Sequence, residues 1–421
     1  MSAQVHRVVE AVWRMESAKI IAVLARMLRD VGVAEELAQD ALVNALECWP
    51  ETGVPENPAA WLMRVAQNRA LDQLRHRKLQ HDKDGELSYE LEATLQDAAP
   101  DLEAAVADAL ENDIGDDLLR LVFVACHPLL PTDGRVALTL RLLGGLSTDE
   151  IARAFLVPEA TVAQRIVRAK RTLAEAKVPF EVPRAHELAE RLASVLRVIY
   201  LIYNEGYAAS VGADWMRPAL CEEALRLGRI LAELASEEPE VHGLVALMEI
   251  QSSRARARVG PGGEPILLLE QDRSRWDQLL IRRGFAALAR AERLGRGLGS
   301  YGVQAAIAGC HARARAAEDT DWVGIAALYD ALAQLAPSPV VELNRAVAVS
   351  MAFGPAAGLE VVDRLLDEAV LKNYHLLPSV RGDFLAKLGR GAEARIEFEK
   401  AAALTQNQRE RTLLLARAAA Q

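Results

Sequence analysis

Thr161, Gln164, Arg165, Arg168 and Arg171 recur along one side of a helical wheel, and all five side chains bond well to nucleic acid. Opposite them Val162, Ile166, Ala169 and Leu173 fall at i, i+4, i+7 and i+11, one apolar stripe. Arg and Gln can read base edges in a major groove, and further Arg and Lys neutralise phosphates. The chemistry on offer is recognition rather than bond-making. A solvated amphipathic helix would use the same residues, so the preceding stretch has to decide. There Ser147 and Glu150 have the spacing of a capping box. Ile151, Phe155 and Leu156 would face inward, and Pro158 would end the first helix and pre-set a turn. Together these features predict a helix-turn-helix.

Other reactive residue types do not assemble into a site. His127, His242, His311 and His375 sit in or beside expected helices, with no carboxylate at ligand spacing. "PGGEP" (261–265) is a turn without the Lys-Ser/Thr ending of a phosphate loop. "DRSRWD" (272–277) reads as a buried ion-pair network between helices, with the wall of a ligand pocket as the other reading. Tyr200, Tyr203 and Tyr207 have packing spacing. Cys48, Cys126, Cys221 and Cys310 form no CxxC pair, which argues against a zinc site or disulfide scaffold and fits a reducing compartment. No catalytic residue, metal or cofactor is expected.

The elements that must position the basic helix follow from periodicity. The composition, 51% apolar and 26% charged, is that of a globular chain rich in helix formers, and 421 residues exceed one core. Helices are expected near 16–30, over "VAEELAQDALVNALECWP", with Leu37, Ala41, Leu42, Ala45 and Leu46 as its stripe, and over "AAWLMRVAQNRALDQLRHRK", with Leu62, Val65, Ala66, Leu71 and Leu74 inward. The loop "ETGVPENP" separates the last two. Residues 81–113 read as an acidic linker, flexible or weakly helical: from 81 to 117 thirteen acidic residues stand against one basic. The net charge of −10 therefore hides a basic block over 118–178. From 184 onward the pattern is helix after helix. Ile325, Tyr329, Leu332 and Leu335 reappear as Ala394, Phe398, Ala401 and Leu404, with a weaker copy at Leu359, Asp363, Leu366 and Ala369. A period near 34 is the tetratricopeptide length, so residues 184–421 are expected to stack as a solenoid. No signal-peptide layout and no apolar run of about 18–20 residues is seen, so a cytoplasmic protein without a membrane contact is expected.

The order of "AEELAQDALVNALECWP", "NPAAWLMRVAQNRALDQLRHRK", an acidic linker and "TVAQRIVRAKRTL" resembles the extracytoplasmic-function branch of the sigma-70 family, over about residues 10–178. The tail resembles the subgroup with a tetratricopeptide-like extension, in "YLIYNEGYAAS", "LLEQDRSRWD" and "SPVVELNRAVAV". The resemblance implies an all-α protein: region 2 over 1–80, the linker over 81–113, region 4 over 114–178 and a helical regulatory domain over 184–421. It implies two partners, core RNA polymerase and promoter DNA, with a protein or small molecule as a third, held by the solenoid. Glu36, Gln39, Asp40 and Asn44 would meet polymerase. Asn57, Trp61, Asn68, Arg69, Arg75, Arg77 and Lys78 would serve the −10 element, with Trp61 as a packing residue or a stacking platform and Asp72 orienting Arg69 or Arg75. Thr161, Gln164, Arg165, Arg168 and Arg171 would read the −35 element. The acidic linker would occupy a basic polymerase channel or act as a tether. A stand-alone helix-turn-helix regulator with a ligand-sensing domain is the alternative, and the 55–78 segment, which such a regulator does not need, speaks against it. A third reading places an enzymatic or scaffolding activity in the tail.

Overall fold

The computed structural model describes residues 2–84, 115–155, 157–209, 211–212, 214–295 and 297–421. They divide into two compact units, Met1–Val198 and Ile199–Gln421.

In the first unit, α1 (Ser2–Leu28) and α2 (Val31–Thr52) fold back on one another through a two-residue turn. Arg29 takes a positive φ of 53°, and Asp30 caps α2 by accepting from Gly32 N at 2.8 Å and Val33 N at 3.1 Å. The deepest stripe of α2 is Ala34, Ala38, Ala41 and Ala45. Leu37, Leu42 and Leu46, expected to share it, are only half-buried. Alanines bring the backbones close, so the bulk of the core comes from Ile20, Ile21 and Leu24 of α1. Gly53 (φ 86°) ends α2, and α3 (Pro58–Asp84) follows with Leu62, Ala66 and Ala70 buried. Val65, Leu71 and Leu74 flank that line half-buried. The helix continues to Asp84, four residues into the expected linker. The remainder of the linker lies outside the described residues.

A helix over 115–125 (α4) leads to α5 (Thr132–Leu142), α6 (Thr148–Phe155) and α7 (Glu159–Glu175). The next helix, α8 (Ala185–Tyr207), crosses the division between the units, fourteen residues beyond the position where composition suggested a boundary. Its early turns complete the first unit: Arg191 Nη2 donates to Phe123 O at 2.9 Å and Ser194 Oγ to Cys126 O at 2.8 Å.

The second unit is a succession of helices, each packed on the next: α9 (Pro218–Leu234), α10 (Pro239–Ser252), α11 (Gln278–Arg293), α12 (Ser300–Arg313), α13 (Trp322–Leu335), α14 (Pro339–Phe353), α15 (Pro355–Asp363), α16 (Leu376–Lys387), α17 (Gly391–Leu404) and α18 (Gln408–Ala419). The repeat read from sequence is physical. α13 and α17 are both 14 residues long and start and end at matching positions of the repeat. The weaker copy differs: α15 has 9 residues and buries Leu359 and Val362, while Asp363 and Leu366 are exposed. An aspartate at a core position cannot hold that register. A Cβ at Gly243 would come within 2.6 Å of Gly302 N, so α10 and α12 cross backbone to backbone. Two-residue strands, Val211–Gly212 and Gln406–Asn407, pair in parallel, and Asn407 Nδ2 donates to Ala209 O and Asp214 O, tying the last helix to the first loop of this unit.

Candidate nucleic-acid interface

The helix-turn-helix forms as the residues require. Ser147 N donates to Glu150 Oε2 at 2.8 Å and Glu150 N to Ser147 Oγ at 3.1 Å, a closed capping box. Pro158, extended at φ −57°, starts α7. Val162, Ile166, Ala169 and Leu173 are all buried. Ile151 is buried and Phe155 half-buried, while Leu156 lies outside the described residues. Fixing the inner stripe leaves Gln164, Arg168 and Arg171 exposed, with Thr161 and Arg165 half-buried beside them. Arg165 is held by Asp133 at 2.7 Å, and Arg171 by Glu175 at 2.6 Å. Arg168 has no ion pair among the described residues.

In the α1–α3 bundle, Asn57 is committed to structure at one end: its Oδ1 accepts from Ala60 N at 3.0 Å and caps α3. Its amide nitrogen remains a donor for a base. Trp61 packs edge-on against Trp49, ring centroids 5.3 Å apart, and Trp49 is buried. That geometry favours packing for Trp61. Asn68 is exposed, and Arg69 reaches Asp40 at 2.9 Å. Asp72 orients Arg75, at 3.2 Å, rather than Arg69. The side chains of Arg77 and Lys78 lie outside the described residues.

Of the α2 residues, Glu36 and Asp40 are exposed, Asn44 accepts from Cys48 Sγ, and Gln39 bonds to Glu35. Glu35 itself was missed by sequence reasoning. It is 2% exposed, joins Arg141 of α5 at 2.6 Å and pairs with Lys170 of α7. A carboxylate three residues before Ala38, on the apolar stripe, was the available signal. Around it, Arg14 bonds Glu150 at 2.5 Å, Arg26 reaches buried Asp117 at 3.2 Å, and a Cβ at Gly145 (φ 65°) would meet Ser17 Oγ at 2.9 Å. The α1–α3 bundle and the helix-turn-helix thus pack together, with Lys170 of the basic helix turned inward to α2.

Two family models match this unit: Sigma-70 region 2 over residues 13–80 and Sigma-70 region 4 over residues 120–173. The probable ECF RNA polymerase sigma factor SigI of Mycobacterium tuberculosis is 26% identical over 44% of the chain and 61% of its own length. ECF RNA polymerase sigma factor SigW of Bacillus subtilis is 28% identical over 37% of the chain and 81% of its own. An uncharacterized protein of Rhizobium meliloti is 46% identical over 91% of the chain and 89% of its own length. The chain is an extracytoplasmic-function sigma-70 factor. Its C-terminal extension carries a third match, to a family of unknown function, over residues 191–292. This sigma factor binds core RNA polymerase and promoter DNA and directs transcription initiation. The stand-alone regulator reading is not favoured, since residues 13–80 match sigma-70 region 2.

Sigma factors are non-enzymatic. Among the described residues no group of three or more His, Cys, Asp or Glu could hold a metal, and no helix is long and apolar enough to cross a membrane. All four cysteines are free, and burial pushes the Cys126 thiol up to about 11. His375 pairs with Glu410 at 2.9 Å, brought from a distant helix. One sequence expectation in the extension needs correction. Among the described residues the "DRSRWD" stretch builds no ion-pair network: Asp272 caps a local turn, Asp277 caps α11, and Arg273 donates to backbone carbonyls.

Proposed function

We propose that α7 reads the −35 element with Gln164, Arg168 and Arg171 at base edges, while Thr161 and Arg165 settle the helix on phosphates. The observation that supports this most is the division of α7 into a fully buried apolar stripe and an exposed polar face behind a closed capping box. Asn57 and Asn68 hold an unstacked base of the −10 element, and Arg69, Arg75, Arg77 and Lys78 hold its backbone. Glu36, Gln39, Asp40 and Asn44 meet polymerase, with Arg69 exchanging Asp40 for phosphate as the complex forms. Region 2 spans 1–80, the linker 81–113, region 4 114–178, and the extension regulates them in cis from 184 on. The acidic linker lies in a basic polymerase channel. The protein works in the cytoplasm, where polymerase and promoter are.

Core binding tests the α2 assignment. Fluorescently labelled full-length protein is titrated with core polymerase beside the Glu36→Ala/Asp40→Ala double variant. At least a tenfold weaker affinity with unchanged helicity is expected, roughly 1.4 kcal/mol. Equal affinities would remove these residues from the interface.

A further inference from the structure

Within the second unit, α8, α12 and α13 surround a cavity of about 280 Å³ whose wall includes Tyr200, Asn204, Arg254, Gln304, His311 and Tyr329. That volume is just below the range of about 300–1,000 Å³ for drug-sized ligands and suits a small guest. Its electrostatics are unusual. Arg254 and Arg258 both lie on the Tyr207 ring, at 5.8 and 3.5 Å, and Arg254 and Arg273 both lie on the Trp276 ring, at 5.7 and 4.9 Å. Three guanidinium groups are therefore gathered on two aromatic rings. Among the described residues none of the three pairs with a carboxylate. Arg258 donates to Tyr207 O, and Arg273 to His311 O at 2.5 Å, Ala314 O at 3.0 Å and Thr320 Oγ1 at 3.1 Å. Carbonyls satisfy the N–H groups but supply no opposite charge; Glu318 and Asp319 act on Arg273 without pairing with it, and gathered, partly buried cations without a paired charge are costly.

Arg254 is the one of the three that lines the cavity. Its hydrogen bonds among the described residues all leave from Nη2, to Tyr207 Oη and Gln251 Oε1. Nε and Nη1 are left to bond a guest. Two further polar groups of the wall are unused: the Tyr329 hydroxyl makes no hydrogen bond among the described residues, and His311 Nδ1 is buried without a partner. Burial pushes the Tyr329 hydroxyl up to about 12, so it stays a donor. Burial, with Arg254 and Arg273 beside it, holds His311 near 3 and therefore neutral.

We propose that this cavity is a binding site for a small aromatic carboxylate, its carboxylate on Arg254 and its ring between the tyrosines of the wall. The guest supplies the missing negative charge, Arg254 gives it charge-assisted hydrogen bonds, and Tyr329 donates to its polar edge. The site gives the solenoid partner suggested above a chemical class, and it rests on the second unit alone.

The test is calorimetric titration of the full chain with 4-hydroxybenzoate, its neutral counterpart 4-hydroxybenzyl alcohol and inorganic phosphate. The carboxylate is expected to bind about tenfold or more tightly than the alcohol, the size of a charge-assisted pair. Arg254→Gln should lose that preference. Tyr329→Phe, which removes one oxygen and leaves the packing, should weaken the carboxylate several-fold with the melting temperature unchanged. No heat with 4-hydroxybenzoate, an equal affinity for the alcohol, or tighter phosphate binding would overturn the assignment, as would full affinity in both variants. The titration reads binding alone, so its failure leaves initiation untouched, and a failure of initiation leaves it interpretable.

Discussion

Arg168 stands in solvent on α7 while its neighbours Arg165 and Arg171 are tethered to Asp133 and Glu175. A free guanidinium pays no pair to reach a base. Arg168→Ala is therefore expected to cost about 1–3 kcal/mol of −35 discrimination, a tenfold loss or more in transcript from a promoter that depends on that element. Its melting temperature should not move; a normal transcript would take Arg168 off the DNA. Trp61 makes the opposite case. Because it packs on Trp49, Trp61→Ala should destabilise the first unit by about 3 kcal/mol, while Trp61→Phe should keep most activity. Thermal melts beside transcription check this, and a stable but inactive Trp61→Phe would favour the stacking role. The α7 stripe was legible because helical periodicity is local. Glu35 was not, because its partner Arg141 lies 106 residues away and only the fold brings them together. Asn57 was legible as a polar residue before a helix, but its capping bond uses half of the amide assigned to a base.

Among elements, the junction of α2 with α5 and α7 carries the main consequence. The −10 and −35 elements are separated by about 25 base pairs, some 85 Å of duplex at about 3.4 Å per step. A compact unit of this length has a radius of gyration near 16 Å. On the proposed reading, in which α3 serves one element and α7 the other, the junction would have to open, and the Glu35 pairs with Arg141 and Lys170 would act as a latch. Glu35→Gln keeps the shape and removes the charge, weakening the closed state by about 1–3 kcal/mol. Energy transfer between labels on α3 and α7 should fall, and core affinity should rise. Unchanged transfer would mean that the apolar contacts hold the junction by themselves. In the second unit, Gly243→Ala puts a methyl against Gly302 N and should cost about 1–3 kcal/mol in denaturant unfolding. The matching helices α13 and α17 were legible from a spaced apolar repeat. The short α15 between them was not, since its burial shifted to Val362 once Asp363 sat where a core residue was expected.

For the whole molecule, the half-buried His127 and the buried His311 contribute to the acid response. His127 is held down to about 4, chiefly by burial and then by Arg191, and His311 to about 3. Unfolded, each titrates near 6.5, so between that value and the folded ones the unfolded chain binds more protons and stability falls as pH falls. The melting temperature should decline below about pH 6.5, and His311→Asn should flatten the decline for the second unit. An unchanged slope would show that carboxylates dominate. The order of region 2 before region 4 was legible because each segment carries its own composition. The division inside α8 was not, because its early turns belong to one unit and its tyrosines to the other. A fragment cut at 183, the boundary expected from composition, would lack Arg191 and Ser194, so one ending at 207 tests the extension while keeping those contacts. The most direct measurement is run-off transcription with purified bacterial core polymerase on the promoter upstream of this protein's own gene. A specific transcript that requires the full-length protein and is lost with Arg168→Ala is the expected result. No transcript, with no detectable binding to core, would contradict the account.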